Sequence, residues 1–225
     1  MPFAAINYGV KPGHEDEIAE IFAPGSFTRA ESPVMRDETG TEVGRLLATG
    51  LFIQDTDMVR VIQYEGDLAA VGRHMATQQG VHEAERRIAP LLATPRDTAT
   101  AAGFQAHFGR SIMTLVHEHV RRADVATAMI AVRYALRTDS VPAVGELLAA
   151  APSPSEQDGP IVATASFLRG STLVRVYQCE GDVAAAAEHL LAAEEPAALA
   201  GARAEQAMRC ISQLSVLSLP ESARR

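Results

Sequence analysis

Apolar and polar residues alternate from Ala4 to Lys11, with Ile6, Tyr8 and Val10 on one side and Ala5, Asn7 and Gly9 on the other. That is the period of a half-buried strand, and Pro12-Gly13 ends it. From His14 to Ala23 the apolar positions Ile18, Ile21 and Phe22 take up helical spacing, behind an acidic first turn of Glu15, Asp16 and Glu17 that suits a helix N-terminus. After a loop containing Gly, Pro and Ser, the stretches Arg45 to Ile53 and Met58 to Glu65 predict the two strands of a hairpin, joined by Gln54-Asp55-Thr56-Asp57. Gly66-Asp67 opens a helix with Asp67 as its N-cap, running through His74 toward an amphipathic stretch at Val81 to Leu92. Ile112 to His119 predicts a closing strand.

The second half repeats this order, with strands at Ile130 to Leu136, Ile161 to Leu168, Leu173 to Glu180 and Ile211 to Leu217, and helices at Ser140 to Ala150 and Val183 to Met208. The repeat is also literal. Val59-Arg60-Val61-Ile62-Gln63-Tyr64-Glu65-Gly66-Asp67 returns 115 positions later as Val174-Arg175-Val176-Tyr177-Gln178-Cys179-Glu180-Gly181-Asp182. At the same offset Ala48-Thr49 answers Ala163-Thr164, Phe52 answers Phe167, and His74 answers His189. Further upstream the offset is 126, aligning Ile6-Asn7-Tyr8 with Val132-Arg133-Tyr134. Near the end of each half Arg110-Ser111-Ile112 resembles Arg209-Cys210-Ile211, which assigns the first half an extra segment within Thr94 to Gly109, a candidate lid carrying His107. Two long copies indicate a tandem duplication, not a solenoid.

Strand, helix, strand, strand, helix, strand is the split ferredoxin-like order, an antiparallel sheet with helices on one face. The predicted class is therefore α+β, with units at residues 1–122 and 123–225. Each unit leaves one sheet face bare, so the two are expected to pack those faces together as an intrachain pseudo-dimeric α+β barrel around a shared cavity.

Composition narrows the function. The 225 residues are 47% hydrophobic and 21% charged, a globular balance long enough for two cores. A net charge of -8 supplies no phosphate-neutralising surface, so nucleic acid is not an expected partner. No apolar run reaches the ~20 residues of a membrane span and no signal pattern opens the chain, so a soluble cytoplasmic protein is expected. Cys179 and Cys210 fit neither a zinc site nor a disulfide framework. They are expected to stay unbonded, because third and fourth strands flanking the first stand about 9.6 Å apart.

The hairpin strand followed by Gly-Asp, an Ala-rich helix start and a histidine seven residues after the Asp (Asp67 to His74, Asp182 to His189) resembles the antibiotic-biosynthesis monooxygenase superfamily of dimeric α+β barrels. The two-copy layout resembles more narrowly the SchA/CurD-like family of aromatic-polyketide and spore-pigment clusters. The resemblance implies an oxygenase or accessory protein for polycyclic polyketides, with polyketide synthase or cyclase partners. The chain has no G-x-G-x-x-G after a strand, so no nicotinamide site is assigned, and it lacks the Trp that some related monooxygenases place in their pockets.

The residues offer several candidates for chemistry. If Val59, Val61, Val174 and Val176 face the helices, then Arg60, Tyr64, Arg175 and Tyr177 point into the shared cavity. A buried arginine there could hold a phenolate through its fixed fork of donors; the alternative is a solvated strand arginine. Asn7 and Arg133 hold equivalent positions on the first strands and would make the pocket asymmetric, unless they are merely exposed at a sheet end. His117 and His119 share one strand face, with Glu118 on the other, and suit a base and its helper. A fraying strand end accounts for them equally simply. His74, a further candidate base, recurs as His189 and suits either catalysis or helix packing.

The expected function is a cofactor-independent oxygenase on a phenolic polycyclic aromatic polyketide, with molecular oxygen as co-substrate, giving a hydroxylated or quinone product. His117, His119 or His74 would take the proton, and Arg60, Arg175 or Asn7 would hold the resulting anion. A polyketide cyclase and a non-catalytic polyketide-binding accessory protein are the alternatives. Association of two chains as a homodimer stays open.

Overall fold

The computed structural model describes residues 1–27, 32–95, 100–150, 159–192 and 203–224. It is an α+β protein of two compact units, one formed by residues 2–112 with 209–225 and the other by 113–208.

In the first unit the strands β1 (Phe3–Gly9), β3 (Glu42–Gln54), β4 (Asp57–Gly66) and β10 (Arg209–Ser215) make an antiparallel sheet of order β1-β4-β3-β10, with the short β2 (Val34–Arg36) also on β3. Its helices are α1 (Glu15–Ile21), α2 (Leu68–Thr77), α3 (Gln79–Ile88) and α4 (Ala101–Ser111). The second unit has β5 (Thr114–Val120), β6 (Thr127–Ala135), β7 (Ile161–Arg169), β8 (Thr172–Glu180) and β9 (Arg203–Ala207) in the order β5-β7-β8-β6-β9, with α5 (Val141–Ala149) and α6 (Val183–Ala192).

Local chemistry explains why both hairpins end and both second helices begin where they do. The β3-β4 turn sets Asp55 at φ 51 and the β7-β8 turn sets Gly170 at φ 56, the left-handed region that Asp tolerates and Gly enters freely. At the repeated Glu-Gly-Asp, Gly66 (φ 96) and Gly181 (φ 82) turn the chain out of the strand. Asp67 then accepts from the Ala69 amide at 3.1 Å, and Asp182 from the Ala184 amide at 2.9 Å. Each cap satisfies an otherwise orphaned helix donor and contributes about 1 kcal/mol.

The expected boundary at 122/123 does not describe the folded units, because the closing strands are exchanged. Residue Ile112 bridges its own first strand at Ile6, and Ala207 pairs with its own first strand at Val132. The chain then leaves that sheet. β5, from the first half of the sequence, pairs with β7 of the second unit, and β10, from the second half, pairs with β3 of the first. Both ladder edges are thereby satisfied. The equivalence of Ile112 with Ile211 is corrected as well, since Ile112 answers Ala207. Of the helix expected from Val183 to Met208, Val183–Ala192 is α6, residues 193–202 lie outside the described residues, and Arg203–Ala207 is β9 instead. Cys179 lies buried on β8 and Cys210 exposed on β10, in sheets of different units, and both thiols are free.

Truncating the chain at Met208 removes β10. Amide exchange should then accelerate across 48–53 on β3 and stay unchanged across 173–179 on β8; the reverse pattern would mean that each half closes its own sheet.

Candidate functional site

The face that each strand turns to the helices decides what can meet what. In the first unit Met58, Ile62 and Tyr64 belong to one core with Ile18 and Phe22 of the α1 region, Val71 and Met75 of α2, Ile88 of α3 and Phe104 of α4. Arg60 shares their parity and lies 5.8 Å from the Phe22 ring centroid. In the second unit Leu173 packs with Val144 and Leu148 of α5, and Tyr177 with Ala186 of α6. Arg60, Tyr64, Arg175 and Tyr177 therefore face their own helices, and Val59, Val61, Val174 and Val176 take the opposite faces, contrary to expectation. The pattern was ambiguous because both faces are apolar. Val59, Val61 and Val174 are fully buried on one face, and Ile62 and Leu173 on the other.

Asn7 pairs with Val59 and Arg133 with Val174, so both lie on faces opposite the arginines and share no site with them. Asn7 instead donates to Asp57 at 3.0 Å. His74, on α2, hydrogen-bonds the Ser32 carbonyl through Nε2 at 3.1 Å, and burial pushes its pKa down. It does not line the first unit's cavity and serves to hold a loop.

The histidine pair is where the chemistry collects. A bulge at Val116 shifts the β5 register, so Leu115 stands opposite Phe167 while His117 stands opposite Ser166. Without that extra residue, period two would put Leu115 and His117 on one face. The bulge thus turns both imidazoles to the helix side. One cross-strand row runs His117, Ser166, Arg175, Val132, and the next runs His119, Thr164, Tyr177, Ile130. Ser166 is 1% exposed. Arg175 lies between Leu173, packed under α5, and Tyr177, packed under α6, in the seam between two small apolar clusters.

Arg175 is half-buried, and its guanidinium stands 5.2 Å from the Tyr177 ring centroid. Its Nε is buried without a hydrogen-bond partner. Strands β5 and β8 are two spacings apart, about 9.6 Å, a gap that an imidazole and a guanidinium can close on a small anion. Burial is the largest influence lowering the His117 pKa, followed by the charges of Arg175 and His119, with Glu118 opposing them. All of these influences except Glu118 favour the neutral imidazole. Sequence reasoning missed Ser166 and Thr164. Their signal was the 115-residue offset, where Ser166 replaces Leu51 beside the repeated arginine.

The same rows in the first unit read Ser212, Leu51, Arg60, Ile6 and Leu214, Thr49, Ile62, Ala4. The histidines are thus one-sided. That unit holds instead a narrow apolar cleft, partly open to solvent and with room for about 20 Å³, with α4 supplying Phe104 and Phe108. Of the extra segment, α4 lines this cleft, with His107 stacked on Tyr8 at 6.0 Å and bonded to Ser111 at 3.1 Å. The histidine pair and this cleft lie in different units. Among the described residues no group of three or more His, Cys, Asp or Glu side chains could hold a metal ion, and no helix is long and apolar enough to cross a membrane.

The SchA/CurD like domain matches residues 1–121. The chain belongs to the SchA/CurD-like family. It is 33% identical over 184 residues to "Polyketide synthase CurD" of Streptomyces cyaneus, covering 79% of this chain and 47% of that protein. It is 32% identical over 202 residues to "Protein SchA" of Streptomyces halstedii, covering 88% and 51%. It is also 31% identical over 182 residues to the "42.8 kDa protein in whiE locus" of Streptomyces coelicolor, covering 79% and 44%. This family member spans about half the length of these relatives. A solved Fusobacterium nucleatum protein named as a monooxygenase superposes with a TM-score of 0.49 at 8% identity over 95% of this chain and 93% of its own. Likeness at that level leaves the family member's fold to be read from its own strands.

The His117 ring proton signal, followed by NMR against pH, should titrate below the ordinary histidine value of about 6.5. In Arg175→Met the midpoint should move up toward that value, since a nearby positive charge that disfavours the imidazolium is gone. A midpoint indifferent to Arg175 would mean that the two side chains do not share a site.

Proposed function

We propose that this chain is an oxygenase acting on a phenolic polycyclic aromatic polyketide, converting an activated ring methylene to a carbonyl without a flavin, haem or metal. The observation that carries the reading is the His117, Ser166, Arg175 row: a base whose neutral form is favoured, a buried hydroxyl and a fixed cation on one sheet face. The name of the CurD relative supports a polyketide as the substrate class.

In this reading His117 takes a proton from the methylene, breaking one carbon–hydrogen bond. The electron pair delocalises onto the conjugated oxygen, which Arg175 holds through charge-assisted hydrogen bonds, with the Ser166 hydroxyl beside it. One electron passes to O2, and the resulting superoxide and substrate radical combine to form a carbon–oxygen bond. The protonated hydroperoxide loses its second carbon-bound proton to a histidine. Cleavage of its O–O bond then releases water and leaves the carbonyl. Methylene plus O2 gives carbonyl plus water, so the substrate supplies every electron and no further reductant is called for. His119, beside His117 and opposite Thr164, is the second proton-carrying group.

The test uses 1,8-dihydroxyanthrone under air and under nitrogen. One O2 should be consumed per carbonyl formed, with no product under nitrogen. His117→Ala should slow turnover by a general-base factor of roughly 100 to 10,000 with the fold intact. Because the base must be neutral, the acid limb of kcat/KM should fall below pH 6.5, and rates should be lost as pH drops through the lowered His117 pKa. Ring closure of a linear polyketide under nitrogen would assign the site to a cyclase instead. Saturable binding without turnover in either gas would make the chain an accessory protein.

A further inference from the structure

What fixes Arg175 decides whether its row can hold an anion. Arg45, Arg122, Arg137 and Arg209 are each paired with a carboxylate, which offsets the charge and occupies donors of the fork. Arg175 is held differently. Among the described residues it makes no hydrogen bond or ion pair, and its guanidinium stands over the Tyr177 ring, 5.2 Å from the centroid. Attraction between a cation and a ring face draws on no N–H donor. A guanidinium held in this way keeps both its charge and its donors.

The ring is itself fixed. Tyr177 is 8% exposed and packs with Ile130 of β6, Ile161 of β7 and Ala186 of α6. It lies two residues from Arg175 on the same face, about 6.8 Å along the strand, so the arginine reaches along β8 from the His117 row toward the His119 row. The first unit keeps the arginine but not this support. Ile62 stands 115 positions before Tyr177, and the ring near Arg60 is Phe22, from the end of α1. The strand-borne ring belongs to the unit that carries His117 and His119. We propose that Tyr177 is a positioning residue: its ring holds the Arg175 guanidinium beside His117 and Ser166 with its charge unpaired and its donors open to the substrate oxyanion, and its phenol hydroxyl takes no part in the chemistry. The role toward the oxyanion rests on the oxygenase reading above; the placing of Arg175 does not.

NMR of the unliganded chain tests the placing. The charged groups acting on His117 are Arg175, His119 and Glu118, and α5, which packs on β5, carries one titratable residue, the exposed Glu146. Of these, Arg175 is the one over the Tyr177 ring. Tyr177→Leu should raise the His117 midpoint most of the way that Arg175→Met raises it, because the guanidinium moves out to solvent. Tyr177→Phe keeps the ring and should leave the midpoint in place. Ile161→Ala loosens the same cluster without removing the ring, and should lower the Tm while the midpoint stays. In the unaltered chain the Arg175 Cδ protons should show the upfield shift of a ring face. Under air with 1,8-dihydroxyanthrone, Tyr177→Leu should lower kcat roughly 10- to 100-fold with KM little changed, and Tyr177→Phe should match the unaltered chain. The proposal is overturned if Tyr177→Leu leaves the midpoint unmoved, if Ile161→Ala moves it equally, or if Tyr177→Phe loses turnover, which would put the hydroxyl in the chemistry. Ordinary, unshifted Arg175 protons overturn it whether or not Tyr177→Leu folds. If the unaltered chain does not turn the anthrone over, the oxygenase reading fails, and the midpoints still decide what Tyr177 does.

Discussion

The pairing of each closing strand with the second strand of the opposite half is the constraint on which the rest of the structure depends. Backbone donors and acceptors along β3 and β7 need partners, and β10 and β5 supply them from the other half of the sequence. Once that pairing is made, the two halves of the sequence cease to be the two halves of the fold. It also explains why the family match over residues 1–121 ends inside the second unit, just past β5.

The exchange also decides where the histidines sit. His117 and His119 belong in sequence to the half with Arg60, yet β5 delivers them to the sheet that carries Arg175. The bulge at Val116 completes the delivery by fixing which face they occupy. The same bulge recurs at Ile211 on β10, where the register shifts between Cys210 and Ser212. Only the side chains beyond it differ, histidines in one copy and Ser212 and Leu214 in the other.

The two units differ around a shared framework. Each keeps an arginine at one strand position, an Asp cap and a buried glutamine, Gln63 or Gln178. The first adds α4 and builds one large aromatic core and a cleft. Among the described residues the second has two small clusters on its helix side, with Arg175 between them. Arginine on an apolar, aromatic wall and arginine beside hydroxyls and imidazoles have different chemical uses, although the local sequence Val-Arg-Val is the same.

The sequence by itself determined whatever depends on neighbours in the chain. The hairpins, their turns at Asp55 and Gly170 and the Gly-Asp caps were legible because backbone conformation and capping act within a few residues. The shared face of His117 and His119 was legible for the same reason. Tertiary structure decided everything that required choosing between equivalent surfaces. Val59 and Ile62 are equally apolar and equally buried, so no pattern on β4 says which side meets the helices. Leu115-Val116-His117 gives no sign of a bulge, which exists only relative to the β7 register. The partner of each closing strand depends on contacts between residues a hundred or more positions apart for β10, a choice that local periodicity does not encode.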